Sequence, residues 1–483
     1  MFFLFLFLFN ISLNEIPHAE ISLDTIEEKF VTEDSVQPID TANRLLFIDK
    51  IFIIGNRKTR EQIIWREMDL KENQIISASE LERSITVDKN RIFNTGLFTS
   101  VDINILYLSE EKIDLVINLV ERWYTFPVPI FKLADRNFND WWENQNRSLN
   151  RVDYGFRFFK YNMRGRNEKL RLTAQLGFTR TFDIRYTIPY INKKQMDGIA
   201  VFAGYAENNS IAYKTSEHKL VFLNSDSRLR QAVRAGVTMS HRQSFFSYHY
   251  LTFSYTNRSI SDTIAYLNPN YFLGGQTNQK FLYLQYRYRR DLRNIAAYPL
   301  TGYLFNFQVD KYGLGIFDDI NQLEFSADHA QYFDLGKNFY LSSRIGGFIS
   351  TPQRQPYFNL RGLGYQQEFI HGYELYVIEG QSYFLQKTTF KKLLFSGKSQ
   401  NHLIPFEQFK SIPFAVYLKS FFDSGYVNNN QYYPENTMLA NRYIYGGGFG
   451  LDIVTYYDLV LRLEYSFNSI NESGLFINVK AEF

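Results

Sequence analysis

The chain has 483 residues, 53 basic and 50 acidic, a formal net charge of +3 and no cysteine. So small a charge points to neither nucleic acid nor an anionic surface as partner, and the lack of thiols excludes disulfides and thiolate metal sites. Aromatic residues make up 18%, with 35 Tyr and 46 Phe, and beyond the N-terminus no run approaches the ~18–20 continuous apolar residues of a membrane helix.

The mean hydropathy of -0.29 leaves a strand-based membrane protein open. Its strands alternate lipid-facing apolar and lumen-facing polar residues, and the two average out. At the N-terminus an apolar run from Phe2 to Phe9 precedes Pro17-His18-Ala19. It resembles a short secretory signal with cleavage near Ala19, although no Lys or Arg precedes the run. Residues 1–19 are therefore expected to be a signal peptide. Residues 20–44, acidic and rich in Thr and Ser without period, are expected to be a linker.

Residues 45–122 differ in character. Ile51, Ile53 and Ile54 form a short apolar strand ending at Gly55-Asn56. Thr59 with Gln62 is a capping-box pattern and predicts a helix starting at Thr59. Ser77 with Glu80 repeats it, and Leu81, Ile85 and Ile92 line one stripe of a second helix that Gly96 stops. Two alternating strands follow, one through Val101, Ile103 and Ile105, the other through Ile113, Leu115, Ile117 and Leu119. The order β-α-α-β-β makes a small α+β domain.

From about residue 151 the period becomes two. Leu170, Leu172, Ala174 and Leu176 alternate with Arg171, Thr173 and Gln175; Leu459, Leu461, Leu463 and Tyr465 alternate with Val460, Arg462 and Glu464. Runs of about ten residues suit a tilted strand crossing a bilayer. A soluble sandwich has strands of only ~5–6 residues, and would not repeat long apolar faces opposite mid-strand charges such as Arg287, Arg289 and Glu464. The pattern predicts a mainly β fold, a transmembrane antiparallel barrel of about sixteen strands over 123–483. The strands fall near 153–161, 168–178, 181–190, 197–206, 217–224, 230–241, 247–257, 280–290, 301–312, 320–333, 339–350, 379–389, 413–424, 444–454, 458–468 and 474–483. A strand at 124–133 is the alternative first one.

This combination resembles the POTRA-plus-barrel outer-membrane assembly and translocation proteins of the BamA and TamA type (bacterial surface antigens), here with a single POTRA-like unit at 45–122. Asn162-Met163-Arg164-Gly165-Arg166 is similar to the family's early N-x-x-G-R turn, and Arg290-Asp291 leading to Tyr298-Pro299-Leu300-Thr301-Gly302 to a turn between central strands. The long segment 357–378 resembles the family's loop that folds into the lumen. Its tip, Ile370-His371-Gly372-Tyr373, matches V/I-R-G-F/Y except that His371 stands where the family has arginine. Phe421-Phe422-Asp423-Ser424-Gly425 is similar to the F-x-D-x-G strand whose aspartate partners that arginine. The resemblance thus implies a pairing of His371 with Asp423, pH-sensitive because imidazole titrates near neutrality. Gly474, Ile477, Val479 and the terminal Phe483 resemble the C-terminal signal of outer-membrane barrels.

The resemblance implies a bacterial outer-membrane barrel with its soluble domain in the periplasm. It also implies partners: the lipid bilayer, unfolded outer-membrane or secreted clients, and periplasmic or lipoprotein factors. Pairing would use the domain edge at 98–105, and the barrel seam would be softened by Gly446, Gly447, Gly448 and Gly450. The alternative is a gated channel or lipid-handling barrel with the domain as a docking module. An enzyme is disfavoured. No G-x-S-x-G elbow, phosphate loop or metal-ligand spacing occurs, no cofactor is implied, and Ser244 and Ser247 near His241 and His249 read as a strand-end loop.

Overall fold

A computed structural model describes residues 44–133, 152–317, 319–365, 368–400, 411–430, 436–455 and 459–481. The expected signal peptide and nearly all of the expected linker lie outside the described residues.

The N-terminal unit comprises β1 (Leu45–Ile54), α1 (Glu61–Trp65), β2 (Gln74–Ser77), α2 (Ala78–Asn94), β3 (Phe98–Tyr107) and β4 (Lys112–Glu121). Its sheet runs β2-β1-β4-β3, with β1 and β4 parallel. Ile113, Leu115 and Ile117 project from one face of β4 into a core shared with Leu81 and Ile92 of α2, all within 1% of full burial. Burying each such side chain stabilises the unit by ~1.5–3 kcal/mol. Ser77 caps α2 by accepting the Glu80 N–H, and Gly96 follows the C-cap at φ +72°.

Two expectations need correction. The order is β-α-β-α-β-β, because the four-residue β2, too short to show a period, pairs with β1. Thr59 does not cap α1, whose N-cap is Arg60 without a side-chain bond. The Thr59 hydroxyl instead donates to Glu121 Oε1 at 2.6 Å and accepts from Asn162 Nδ2 at 2.8 Å. The hydroxyl is thus engaged by Glu121 and Asn162 rather than by the helix N–H groups.

Sixteen antiparallel strands then form one sheet. They are β5 (Thr125–Leu133), β6 (Val152–Met163), β7 (Glu168–Gly177), β8 (Thr179–Ile188), β9 (Asp197–Asn208), β12 (Arg230–Arg242), β13 (Ser247–Ile260), β14 (Asn278–Asp291), β15 (Gly302–Tyr312), β16 (Gln322–Gly336), β17 (Phe339–Thr351), β20 (Ser382–Gln400), β21 (Ser411–Asn428), β22 (Tyr443–Thr455), β23 (Leu459–Asn468) and β24 (Ser473–Ala481). Between β9 and β12 the chain makes a separate hairpin, β10 (Ser210–Ser216) and β11 (Lys219–Asn224). The expected wall strand at 217–224 is therefore not in the wall, and β5 takes its place in the count. A short apolar run such as Leu220–Leu223 reads as a strand in either setting, so it could not assign the segment to a sheet.

Phe156, Ile184, Phe253, Ile345 and Phe449 lie on the outer face, each about half exposed, whereas Ser254, Asp310, Glu324, Asp423 and Glu464 are buried on the inner face. This inversion of the soluble pattern is what a lipid-facing wall requires. Among the described residues no ladder joins β5 to β24.

Candidate functional site at the inward loop

After β17 the chain leaves the wall. A short pair, β18 (Arg361–Leu363) with β19 (Ile378–Gly380), closes the neck of the excursion. Its tip lies on the inner face of β21–β23. Ile370 is 1% exposed and packs with Leu363, Leu385, Val427 and Ile444. Gly372 turns the chain at φ +87°, and its carbonyl accepts from Asn468 Nδ2 at 2.7 Å. The Tyr373 hydroxyl bonds Ser469 Oγ at 2.7 Å, and the Tyr376 hydroxyl donates to Glu472 at 2.6 Å.

His371 sits 2.6 Å from Asp423 Oδ2 through Nδ1, and its backbone N–H donates to the same oxygen at 3.2 Å. Its Nε2 lies 3.5 Å from Glu464, and its ring is stacked at a tilt on Phe421, 4.1 Å between centroids. Burial opposes charge on the imidazole, but the bonds to Asp423 and Glu464 outweigh it, and the pKa is raised above 6.5. With both ring nitrogens facing carboxylates, the protonated ring donates twice.

The seat requires absent side chains. Gly446 pairs with Asp423 across the β21–β22 ladder, and a Cβ there would lie 1.9 Å from the His371 carbonyl oxygen. A Cβ on Gly425 would meet Ile370 Cδ1 at 2.9 Å. β22 is two strands in from the end of the sheet. Gly446 thus makes room for the loop, a role distinct from the expected softening of a seam, whereas Gly447, Gly448 and Gly450 face atoms of the wall strands.

Charged neighbours extend the site. Lys387 Nζ lies 3.3 Å from Asp423, and Lys419 Nζ lies 2.5 Å from Glu464 and 2.6 Å from Asp452. The Tyr298 hydroxyl donates to Asp452 at 2.9 Å. Sequence reasoning flagged Glu464 as a mid-strand charge and Tyr298 in a turn between central strands, but missed Lys387 and Asp452. Only the register of β20–β23 brings them together.

Tyr298 belongs to the turn between β14 and β15, which also meets the N-terminal unit. Asn94 Nδ2 donates to the Asn294 carbonyl at 3.0 Å, and the Ala296 N–H donates to Asn94 Oδ1 at 3.1 Å. The Asn162–Arg166 turn is a second contact, where the Arg60 N–H donates to the Gly165 carbonyl at 3.0 Å. A Cβ on Gly165 would lie 2.1 Å from the Lys58 carbonyl oxygen. Glu67 and Arg242 form a buried ion pair at 2.8 Å between unit and wall.

The C-terminal residues lie elsewhere. Gly474 pairs with Ser466, and Ile477 is 64% exposed on the outer face of β24. The Val479 side chain and Phe483 lie outside the described residues. His241 and His249 are cross-strand neighbours bonded to Asp197 and to Tyr286 and Gln243. Neither Ser244 nor Ser247 is seen bonding them: Ser244 Oγ accepts the Phe246 N–H and Ser247 Oγ accepts from Tyr288.

Comparison with known proteins places this architecture. Residues 46–122 match the POTRA family model, described as a surface antigen variable number repeat, and residues 162–472 match the Omp85 superfamily domain. The chain belongs to the Omp85 superfamily. It is accordingly an outer-membrane barrel with a periplasmic POTRA domain, from a family of non-enzymatic factors. A curated relative, the outer membrane protein assembly factor BamA of Neisseria meningitidis serogroup B, is 32% identical over 114 residues, which span 23% of this chain and 12% of that protein. Among solved structures, CdiB from Escherichia coli matches with TM-score 0.52 at 10% identity, covering 90% of this chain and 75% of that one. BamA from Haemophilus ducreyi lacking POTRA domains 1–3 gives TM-score 0.49 at 15% identity over 90% and 84%.

Proposed function

We propose that this Omp85 barrel inserts client proteins into the outer membrane or moves them across it, with the POTRA domain receiving clients and the seam between β5 and β24 passing them on. The observation that carries the reading is three sheet edges left unpaired among the described residues. β3 ends the POTRA sheet order β2-β1-β4-β3, and β5 and β24 end the wall. An unpaired edge offers a row of backbone donors and acceptors to an extended client, which can add to it as a further strand. The seated loop supports the reading, because it braces β21–β23 beside the seam. Unfolded outer-membrane or secreted proteins are the clients of this reading, with periplasmic or lipoprotein factors delivering them.

A passive wide channel is less supported, because the inward loop and the Tyr298 turn both occupy the lumen side of β21–β23. The test is a cysteine pair joining β5 to β24 in the full-length protein. Oxidation should lower the yield of folded client in cells or reconstituted vesicles, and reduction should restore it. Equal yields from locked and reduced protein would reject an opening seam, and unchanged client levels on deleting 45–122 would count against a POTRA role in assembly.

A further inference from the structure

The hairpin β10–β11, whose second strand was expected in the wall, does something else. It leaves the wall between β9 and β12 and reaches residues 436–439, between β21 and β22, half-way round the sixteen-strand order. On the way Ile211, Tyr213 and Leu223 pack against Tyr271 and Tyr357 of neighbouring loops. The hairpin therefore crosses the mouth of the barrel on the side away from the POTRA domain.

Its turn is Glu217-His218, at φ +50° and +58°. His218 is fully buried. Its N–H donates to Asn436 Oδ1 at 3.0 Å, and its carbonyl accepts the Val377 N–H at 2.8 Å. Its ring Nε2 accepts the Leu439 N–H at 2.9 Å. Asn436 Nδ2 in turn donates to the Thr215 carbonyl at 2.8 Å, and Thr215 Oγ1 donates to Glu379 at 2.6 Å.

A ring nitrogen that accepts an N–H carries no proton. His218 is thus neutral in this position, with its hydrogen on Nδ1, for which no partner occurs among the described residues. The facing charged and titratable groups give no compensation. Glu217 and Lys219 on the hairpin and Arg442 on the opposite segment are exposed. Tyr376 is committed to Glu472, and Glu379 to Thr215 and Tyr365. A proton on Nε2 would set two N–H donors against each other and leave a buried charge unpaired. Burial is the main influence on this imidazole and holds its pKa below 6.5.

We propose that hairpin β10–β11 is a strap holding the outer mouth closed, and that protonation of His218 releases it. The sign follows from the lowered value in the strapped state. The strap is at full strength above about pH 6.5, the ordinary histidine value, and weakens as the pH falls below it. A strapped state that excludes the proton makes release rise on the order of 100-fold between pH 7.5 and 4.5. His371 has the opposite sign, so the two responses separate.

Hydrogen exchange by mass spectrometry on the full-length protein in detergent, corrected for intrinsic rates, tests this at both pH values. Protection over 210–224 and 436–442 should fall by up to about 100-fold at pH 4.5 while that of β15–β16 holds. His218→Gln offers Leu439 a neutral amide oxygen and should stay protected at both. Unchanged wild-type protection, uniform loss over the wall, or equal acid loss in His218→Gln would overturn the proposal. If His218→Gln does not fold, the regional contrast within the wild type decides alone.

Discussion

Asp423→Asn should unseat the inward loop without disturbing the wall. The side chain is fully buried and accepts both the His371 ring and its backbone N–H, with Lys387 at 3.3 Å. The amide keeps the shape and removes the charge, leaving the imidazolium beside Glu464 alone. Breaking one partner of a buried ion pair costs about 3–5 kcal/mol. Full burial of Asp423 gives no reason to discount that for solvent screening. At 1.4 kcal/mol per tenfold, the unseated population should rise roughly 100- to 4000-fold. The natural chain has no cysteine, so one introduced thiol reports without background. Ile370→Cys places it at a position 1% exposed in the seat, and its maleimide labelling rate then measures unseating. A rate changed less than threefold by Asp423→Asn would refute the idea that this pair holds the loop.

The same thiol reads pH. Because the His371 pKa is raised by its carboxylate partners, its stabilisation is complete below the ordinary 6.5 and is lost as pH rises through the raised value. Labelling of Ile370→Cys, divided by that of a thiol at Leu375, which is 73% exposed, should therefore increase on the alkaline side; His371→Arg should abolish the increase. Gly446→Ala should reproduce Asp423→Asn with no change of charge, since its Cβ would fall 1.9 Å from the His371 carbonyl, whereas Gly474→Ala meets only the Phe476 ring at 3.2 Å and should be near neutral by the same assay. Glu67→Ala leaves Arg242 buried and unpaired and should weaken the POTRA–barrel contact by about 3–5 kcal/mol. Limited proteolysis should then cut near 122–125 while the wall strands stay intact, and an unchanged digest would refute a holding role for the pair.

Much of this architecture was legible because two periods differ. The α2 stripe of Leu81, Ile85 and Ile92 and the alternation of Ile113, Leu115 and Ile117 each mark one buried face, and the long two-residue period after 151 marks a wall. What period cannot carry is sheet membership. Lys219–Asn224 carries a short apolar run that reads as a strand, yet among the described residues it pairs with Ser210–Ser216 and not with the wall. A short strand such as Gln74–Ser77 escapes for the opposite reason, having too few residues to show any period. Capping boxes are local patterns, and Thr59 shows tertiary partners, Glu121 and Asn162, taking up a hydroxyl where Ser77 keeps its cap.

The site was legible at its two centres and not between them. His371 and Asp423 were singled out on a family resemblance, 52 residues apart, and lie 2.6 Å apart. Glu464 changes what the histidine means. An arginine in the seat would hold a permanent charge and could fork to one carboxylate. The imidazole instead spans two, Nδ1 toward Asp423 and Nε2 toward Glu464, and only its protonated form can donate to both. Glu464 is itself tied through Lys419 to Asp452, and Asp452 to Tyr298 on a turn that touches the POTRA domain. A histidine in this seat thus puts a titratable group at the junction of the loop with a polar chain running down the wall, and the strength of that junction depends on its proton.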